Sequence, residues 1–329
     1  MRHRLLALAL LSTALTSVSL AADAAARPLT DQYFLGPDSK PQEGVPKGKV
    51  TKHEVLSEIF ADTRPDGTRV PAKFTYQVYV PAQYDGTKPA AVFIGQDGNN
   101  FIRSINEQNG QPGAWMMTHV LDNLIHKKEI PLVIGIYIDP SQGGGGRANQ
   151  YDTLSDRYAR FVIEEVLPLV SKDYKITSDP EGRVVGGFSS GAICAFTMAW
   201  ERPDQFRKVA SFFGSYTSIA YRPARDGQPM RPGGDLYPGF IRKTPVKPLT
   251  IFIQDGTNDL NNEHGSWYLA NQQMVSAIEF ANANADRRNL PGARYKLKYE
   301  FGDGAHTANH GASILPDVLR YLLGGYEPK

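Results

Sequence analysis

The chain has 329 residues, with 36 lysines and arginines against 34 aspartates and glutamates. That near balance, with no basic block, argues against nucleic acid as a partner. The lone cysteine, Cys194, rules out an intrachain disulfide and a zinc site built on thiolates.

Residues 1–26 read as an export leader. Arg2 and Arg4 give a positive start, an apolar run opens at Leu5, and Ser19-Leu20-Ala21 offers a small-residue cleavage site, with Ala24 to Ala26 as later ones. Ser12, Thr13, Thr16, Ser17 and Ser19 interrupt the run, which falls short of the roughly 20 apolar residues of a spanning helix. The mature protein is therefore expected to be periplasmic or secreted, with no integral membrane segment. Its charge is about +1 once Arg2, Arg4 and Asp23 are gone.

Residues 27–49, rich in Pro, Gly, Asp and Gln, read as an irregular arm. The remainder, 50–329, reads as one catalytic domain. Runs at 50–59 and 74–80 alternate apolar with polar around a turn at Pro65-Asp66-Gly67, which predicts an antiparallel pair at one sheet edge. Buried strands are then expected at 90–94, 131–138, 183–187, 209–213, 249–254 and 295–301. Helices are expected at 115–126, 154–170, 191–200, 267–283 and 311–323. Strands alternating with helices predict an α/β fold: a mostly parallel, doubly wound sheet with an antiparallel amino-terminal edge. Cys194 falls in an apolar helical run and reads as buried and inert. Gly143 to Gly146 complete no phosphate-binding pattern and read as a flexible loop. The stretch 221–247, heavy in Pro, Gly and Arg, reads as a lid or substrate-facing insert.

Gly187-Phe188-Ser189-Ser190-Gly191 fits G-x-S-x-G. An apolar strand leads into it and a small-residue helix leaves it, the setting a nucleophile elbow needs. Ser189 is then the nucleophile, and the Ser190 amide faces the developing oxyanion. A serine hydroxyl needs a base, and in this topology acid and histidine follow in that order. The strand at 249–254 runs into Asp255-Gly256-Thr257-Asn258-Asp259, and the strand at 295–301 into Gly302-Asp303-Gly304-Ala305-His306. Both loops lie beyond strand carboxyl ends, where a doubly wound sheet places its site. Asp259, farther into its loop, is preferred as the acid over Asp255, which reads as a turn cap; Glu263 and Asp303 are distant options. His306 is the base, and His310 a wall or supporting residue of the substrate site. His306 and His310 stand four apart, but without H-E-x-x-H no metal site is expected. The second oxyanion donor is expected from Gln96 or Asp97, after the strand at 90–94. Trp115, Tyr137, Tyr216, Tyr221, Trp267 and Tyr268 fall near loop ends, where they could stack on a sugar or aromatic acyl ring or simply pack in the core.

The elbow with its helix (186–196), then Glu201-Arg202-Pro203, Phe213-Gly214-Ser215-Tyr216, Ile94-Gly95-Gln96-Asp97-Gly98, Gln254 to Asp259 and Gly302 to His306, resembles the putative esterase family. That family spans enterochelin esterase-like, feruloyl and acetyl-xylan, and esterase D-like enzymes. The resemblance covers roughly residues 50–323. It implies an α/β-hydrolase fold, no cofactor, a triad of Ser189, Asp259 and His306, and Arg147 near the substrate. Enterochelin esterase-like members often carry a tryptophan soon after the histidine, where this chain has Ala308, His310 and Gly311. The expected activity is hydrolysis of a carboxylic ester, small-molecule or polysaccharide-linked, with a feruloyl or acetyl acyl group. A siderophore esterase and a non-catalytic binding protein on the same fold are the rival readings.

Overall fold

Eight strands form one sheet in the computed structural model, which describes residues 33–102, 115–225, 227 and 229–328. The expected leader and the first residues of the arm lie outside them. The strands are β1 (Lys49–Thr63), β2 (Arg69–Val80), β3 (Ala91–Gln96), β4 (Val133–Ile138), β5 (Arg183–Phe188), β6 (Lys208–Phe212), β7 (Thr250–Asn258) and β10 (Lys296–Ala305). β8 (Asn261–Asn262) and β9 (Gly265–Ser266) make a separate two-residue hairpin. Across the sheet the order is β1-β2-β4-β3-β5-β6-β7-β10. β1 pairs antiparallel with β2, and β2 with β4; every other pair is parallel.

The parallel strands are apolar on both faces because both are covered. Alternate residues divide cleanly between two cores, as the two-residue period of a strand dictates. Val92, Ile94, Ile134, Ile136, Val185, Val209, Ile251 and Ile253 face one core. Ala91, Phe93, Val133, Val184, Ala210, Phe212 and Phe252 face the other. The first is closed by α4 (Arg157–Arg160), α5 (Leu167–Asp173), α6 (Ser190–Glu201), α7 (Tyr237–Lys243) and α8 (Trp267–Arg287). The second is closed by α2 (Met117–His126) and α9 (Ala308–Leu323). Short α1 (Gly98–Ile102) and α3 (Gly146–Tyr151) cap strand ends. Between α4 and α5, residues Phe161–Val166 widen into a π turn just before Pro168. Pro168 has no N–H and its ring would strike the Glu164 carbonyl, so the wider turn removes the clash. No helix among the described residues is long and apolar enough to cross a membrane.

Three local expectations change. The glycine-rich loop is anchored: the Gly144 amide donates to Asp62 Oδ2 at 2.8 Å, and Gly144, Gly145 and Gly146 take positive φ to lead into α3. The supposed insert at 221–247 contains α7, whose Tyr237 is buried edge-on against Phe196. The described part of the arm is irregular but tied down. Asp38 pairs with Arg320 at 2.5 Å and with Lys127, and Tyr33 Oη donates to Asp303 at 2.6 Å.

Candidate active site

The order in which strands are added reverses between the parallel β3 and β5: β3 leads to β4 on one side, while β5 opens a run to β10 on the other. Such a switch leaves a crevice at the carboxyl ends of the two strands. Ser189 stands there, between β5 and α6, with φ 54° and ψ −127°. That is the corner of a type II′ turn, which glycine normally fills, so a serine there is strained by roughly 1–3 kcal/mol. The strain is held from both sides: Ser189 N–H donates to the Phe212 carbonyl at 3.1 Å, and its carbonyl accepts from Ser215 N–H at 3.1 Å. The flanking glycines are steric necessities. A β-carbon on Gly187 would lie 2.3 Å from the Gly191 carbonyl carbon.

The loops after β7 and β10 are locked by a similar contact, since a β-carbon on Gly256 would lie 2.1 Å from the Gly304 oxygen. The first loop carries Asp259 and the second His306, and the contact brings both to Ser189. His306 Nε2 lies 3.0 Å from Ser189 Oγ, and His306 Nδ1 lies 2.5 Å from Asp259 Oδ1. An ionised carboxylate only accepts, which puts the imidazole proton on Nδ1 and leaves Nε2 free to accept from the serine. The imidazole is gripped edge-on by Phe213 (ring centroids 4.7 Å) and Trp267 (5.7 Å).

A second line of hydrogen bonds reaches the serine from behind. Trp267 Nε1–H can only donate, and does so to Ser215 Oγ at 2.9 Å. Ser215 Oγ is 3.1 Å from Ser189 Oγ. With the Ser189 hydroxyl donating to His306 Nε2, Ser215 is left to donate to Ser189 Oγ, which fixes the nucleophile's rotamer.

The Asp259 carboxylate is fully buried. Burial of a charge is costly unless it is partnered; Oδ1 accepts from His306 and from Leu260 N–H at 2.5 Å. Asp255 sits behind it, completely buried, accepting from Gly256 N–H (2.7 Å) and from Asn271 Nδ2 (2.6 Å). Burial first, and the facing Asp259 carboxylate second, push the Asp255 carboxyl up to about 9.

Of the residues read as oxyanion donors, Ser190 opens α6, and Gln96 is buried in β3 with Nε2 on Met198 Sδ at 3.4 Å. Asp97 is a correction. Its amide donates to Tyr151 Oη at 3.0 Å, so it is not offered to the cleft. Its carboxylate is held by Arg147 through two bonds, Nε at 2.8 Å and Nη2 at 2.6 Å. That pair lies under Gly191, whose β-carbon position is 3.2 Å from Asp97 Oδ2. Arg147 thus supports the elbow through Asp97 rather than lining the cleft. His310 is also not a cleft wall. It is buried, with Nδ1 accepting from Gln254 Nε2 (2.9 Å) and Tyr33 stacked on its ring at 4.1 Å, and burial lowers its pKa. The ring fills the space beside Gly302 and Gly304 and so props the strand end that carries His306. Trp267, only 2 % exposed, backs the imidazole and offers no face for stacking on substrate.

The cleft itself, about 270 Å³, is lined by Asn100, Trp115, Phe188, Ser189, Phe213, His306, Thr307 and Ala308. Trp115 stands in near-parallel array with Phe188 (17°) and Phe213 (19°). Phe188 and Phe213 are additions to the residues singled out from sequence. Each flanks a recognised motif residue, and a side chain next to an elbow serine is the signal that would have found the first. Tyr137 and Tyr216 are core, Tyr268 packs on Phe301, and Tyr221 is surface-exposed.

The model of the putative esterase family matches residues 67–289, which include Ser189 and Asp259 and end before His306. Among curated proteins, the chain is similar to the uncharacterized protein YjcH of Bacillus subtilis, 27% identical over 76% of this chain and 92% of that one. YbbA of the same organism is 23% identical over 43% of this chain and 56% of that one. In fold the chain is similar to the enterobactin esterase of Shigella flexneri, with TM-score 0.58, 18% identity and 84% of this chain covered; the chain spans 61% of that esterase's length. It is likewise similar to a ferulic acid esterase of Anaeromyces mucronatus, with TM-score 0.57, 17% identity, 88% of this chain and 95% of that one. The architecture is that of an α/β-hydrolase, and the family match extends over most of its length. The chain belongs to the putative esterase family.

Proposed function

We propose that the chain is a serine carboxylic-ester hydrolase that acts through an acyl-enzyme. The observation that carries this is the continuous path from Ser189 Oγ through His306 (3.0 Å) to Asp259 (2.5 Å) at the switch point of the sheet. Ser189 Oγ attacks the ester carbonyl carbon while His306 Nε2 takes its proton. Collapse of the tetrahedral intermediate expels the alcohol, which leaves with that proton. Water then attacks the acyl-serine by the same route and the carboxylic acid departs. The Ser190 amide, at the positive end of α6, is the oxyanion donor in this scheme, and the Gln96 N–H is proposed as the second.

For the acyl group we propose an aromatic acid of the feruloyl type. The support is Phe188, partly exposed in the cleft beside the serine, with the buried rings of Trp115 and Phe213 packed behind it as an aromatic floor. Against the siderophore alternative stand Ala308, His310 and Gly311, where enterochelin esterase-like members often carry a tryptophan, and Arg147, which is bonded to Asp97.

The test compares methyl ferulate, p-nitrophenyl acetate and enterobactin on the purified protein and its Phe188→Ala variant. Phe188 is partly exposed but packs on Phe101, Trp115 and Phe213, so a thermal melt of the variant accompanies the kinetics. The variant is expected to lose about tenfold in kcat/KM on the ferulate, equivalent to ~1.4 kcal/mol, and little on the acetate. Equal losses on both would remove the aromatic subsite, preferred turnover of enterobactin would replace the substrate class, and no turnover of any ester would overturn the activity.

A further inference from the structure

We infer that Asp255 is a neutral carboxylic acid whose proton bridges to the buried Oδ2 of Asp259, making it a positioning residue for the acid that orients His306. The inference rests on the triad reading above and adds a group to it. Three observations meet at this point. Asp259 Oδ1 already accepts from His306 and Leu260, while Oδ2 is buried with no donor among the described residues. Asp255, completely buried, faces Asp259 side chain to side chain. Both Asp255 oxygens accept bonds, from Gly256 N–H and from Asn271 Nδ2, and neither bond neutralises a charge.

Two ionised carboxylates cannot share a hydrogen bond, and in a dry site their repulsion would drive the loop open. One proton resolves this. It gives Oδ2 its donor, lowers the charge of the pair to minus one, and leaves that charge on the carboxyl nearer the imidazole. Among the described residues, the groups packed around Asp255 bring no cation to offset a second charge. Its own loop offers Asp259, and α8 offers the neutral Asn271, which also bonds the Gly214 carbonyl behind β6. β10 offers the backbone of Phe301 and Gly302, and His306 stands on the far side of Asp259.

The bridge predicts pH behaviour with a definite sign. The folded protein holds a proton on Asp255 that the unfolded chain gives up near the ordinary carboxylate value of ~4. Stability therefore falls as pH rises from that value toward the raised one, about 9. Above it, loss of the proton leaves two facing charges, Asp259 shifts, and turnover declines on an alkaline limb.

The test uses Asp255→Asn and Asp255→Ala in the full chain. Asparagine keeps a neutral donor for Oδ2, and alanine keeps none. Asp255→Asn is expected to retain turnover at neutral pH within an order of magnitude and to lose the alkaline limb. Asp255→Ala is expected to lose on the order of 10²-fold in kcat with KM little changed, as misplacement of a catalytic group does. Infrared spectra should show a protonated-carboxyl band at neutral pH that vanishes in Asp255→Asn and at strongly alkaline pH. A missing band, or an Asp255→Asn variant as impaired as Asp255→Ala with the same alkaline limb, would overturn the bridge. The two readings fail separately: turnover surviving in Ser189→Ala removes the serine mechanism, while the infrared band still decides the proton.

Discussion

Ser189→Ala is expected to lower kcat by about 10⁶-fold, or ~8 kcal/mol, on any ester the wild type hydrolyses. The loss is large because the hydroxyl is the only atom that forms the covalent bond. His306 Nε2 then loses its partner, and no other hydroxyl among the described residues is hydrogen-bonded to it. Ser215 is 3.1 Å behind Ser189 Oγ and is committed to Trp267. The fold should be unchanged, since alanine inherits the same φ of 54° and the same strain. Ser189→Gly makes the complementary case. Glycine occupies this conformation at no steric cost, so that variant should lose the same activity yet gain about 1 kcal/mol of stability. Stopped assays and thermal melts on both variants check the pair. Comparable activity in Ser189→Ala would refute the nucleophile, and an unchanged or lower melting temperature in Ser189→Gly would refute the strain.

Asp259→Asn should cost on the order of 10⁴-fold in kcat, ~5 kcal/mol, with KM nearly unchanged. The geometry can survive, because asparagine has the same shape and Oδ2 is already supported from behind. What fails is charge and tautomer. An amide nitrogen facing Nδ1 would place the imidazole proton on Nε2, where it can no longer accept from Ser189, and no buried anion would stabilise the imidazolium as it forms. The double variant Ser189→Ala with Asp259→Asn should be little worse than Ser189→Ala alone, since triad members act as a unit. Steady-state kinetics on the two singles and the double measure this; additive losses would mean that the residues act independently.

Much of this fold could be read from the chain because its signals are local. Period-two alternation in 50–59 and 74–80 marks β1 and β2, and unbroken β-branched runs mark the strands buried on both faces. Where the reading failed, the cause lay elsewhere in the chain. Gly143 to Gly146 look flexible in isolation, yet Asp62 on β1 fixes the Gly144 amide. Composition in 221–247 suggests a lid or substrate-facing insert; residues 221–225 are exposed, while Tyr237 farther along packs on Phe196 and Trp200 in the core. β7 and β10 run past their expected ends, because Gly256 and Gly304 look like strand breakers and are instead the residues that let two backbones meet.

Within the site, spacing shows which residue types stand at strand ends but not which way they point. Asp259 and His306 could be placed at the crevice, but the direction of His310, turned inward onto Tyr33 and Gln254, depends on a residue more than two hundred positions away. Arg147 and Asp97 illustrate the same point. Each was sensibly near the substrate in sequence terms, and each is bound to the other in space. Asp255 is the clearest case. As a loop residue it reads as a cap, and its Gly256 contact is one; its larger part depends on burial and on a facing carboxylate, which no sequence pattern encodes.

One hydroxyl, that of Ser189, and no other group, is expected to form the covalent bond. The most direct measurement is treatment of the purified protein with a fluorophosphonate, followed by intact-mass analysis and peptide mapping. One phosphonyl group per chain on Ser189, with esterase activity lost in proportion to labelling, is the predicted result. Full labelling at another residue, or undiminished activity after exposure, would contradict it.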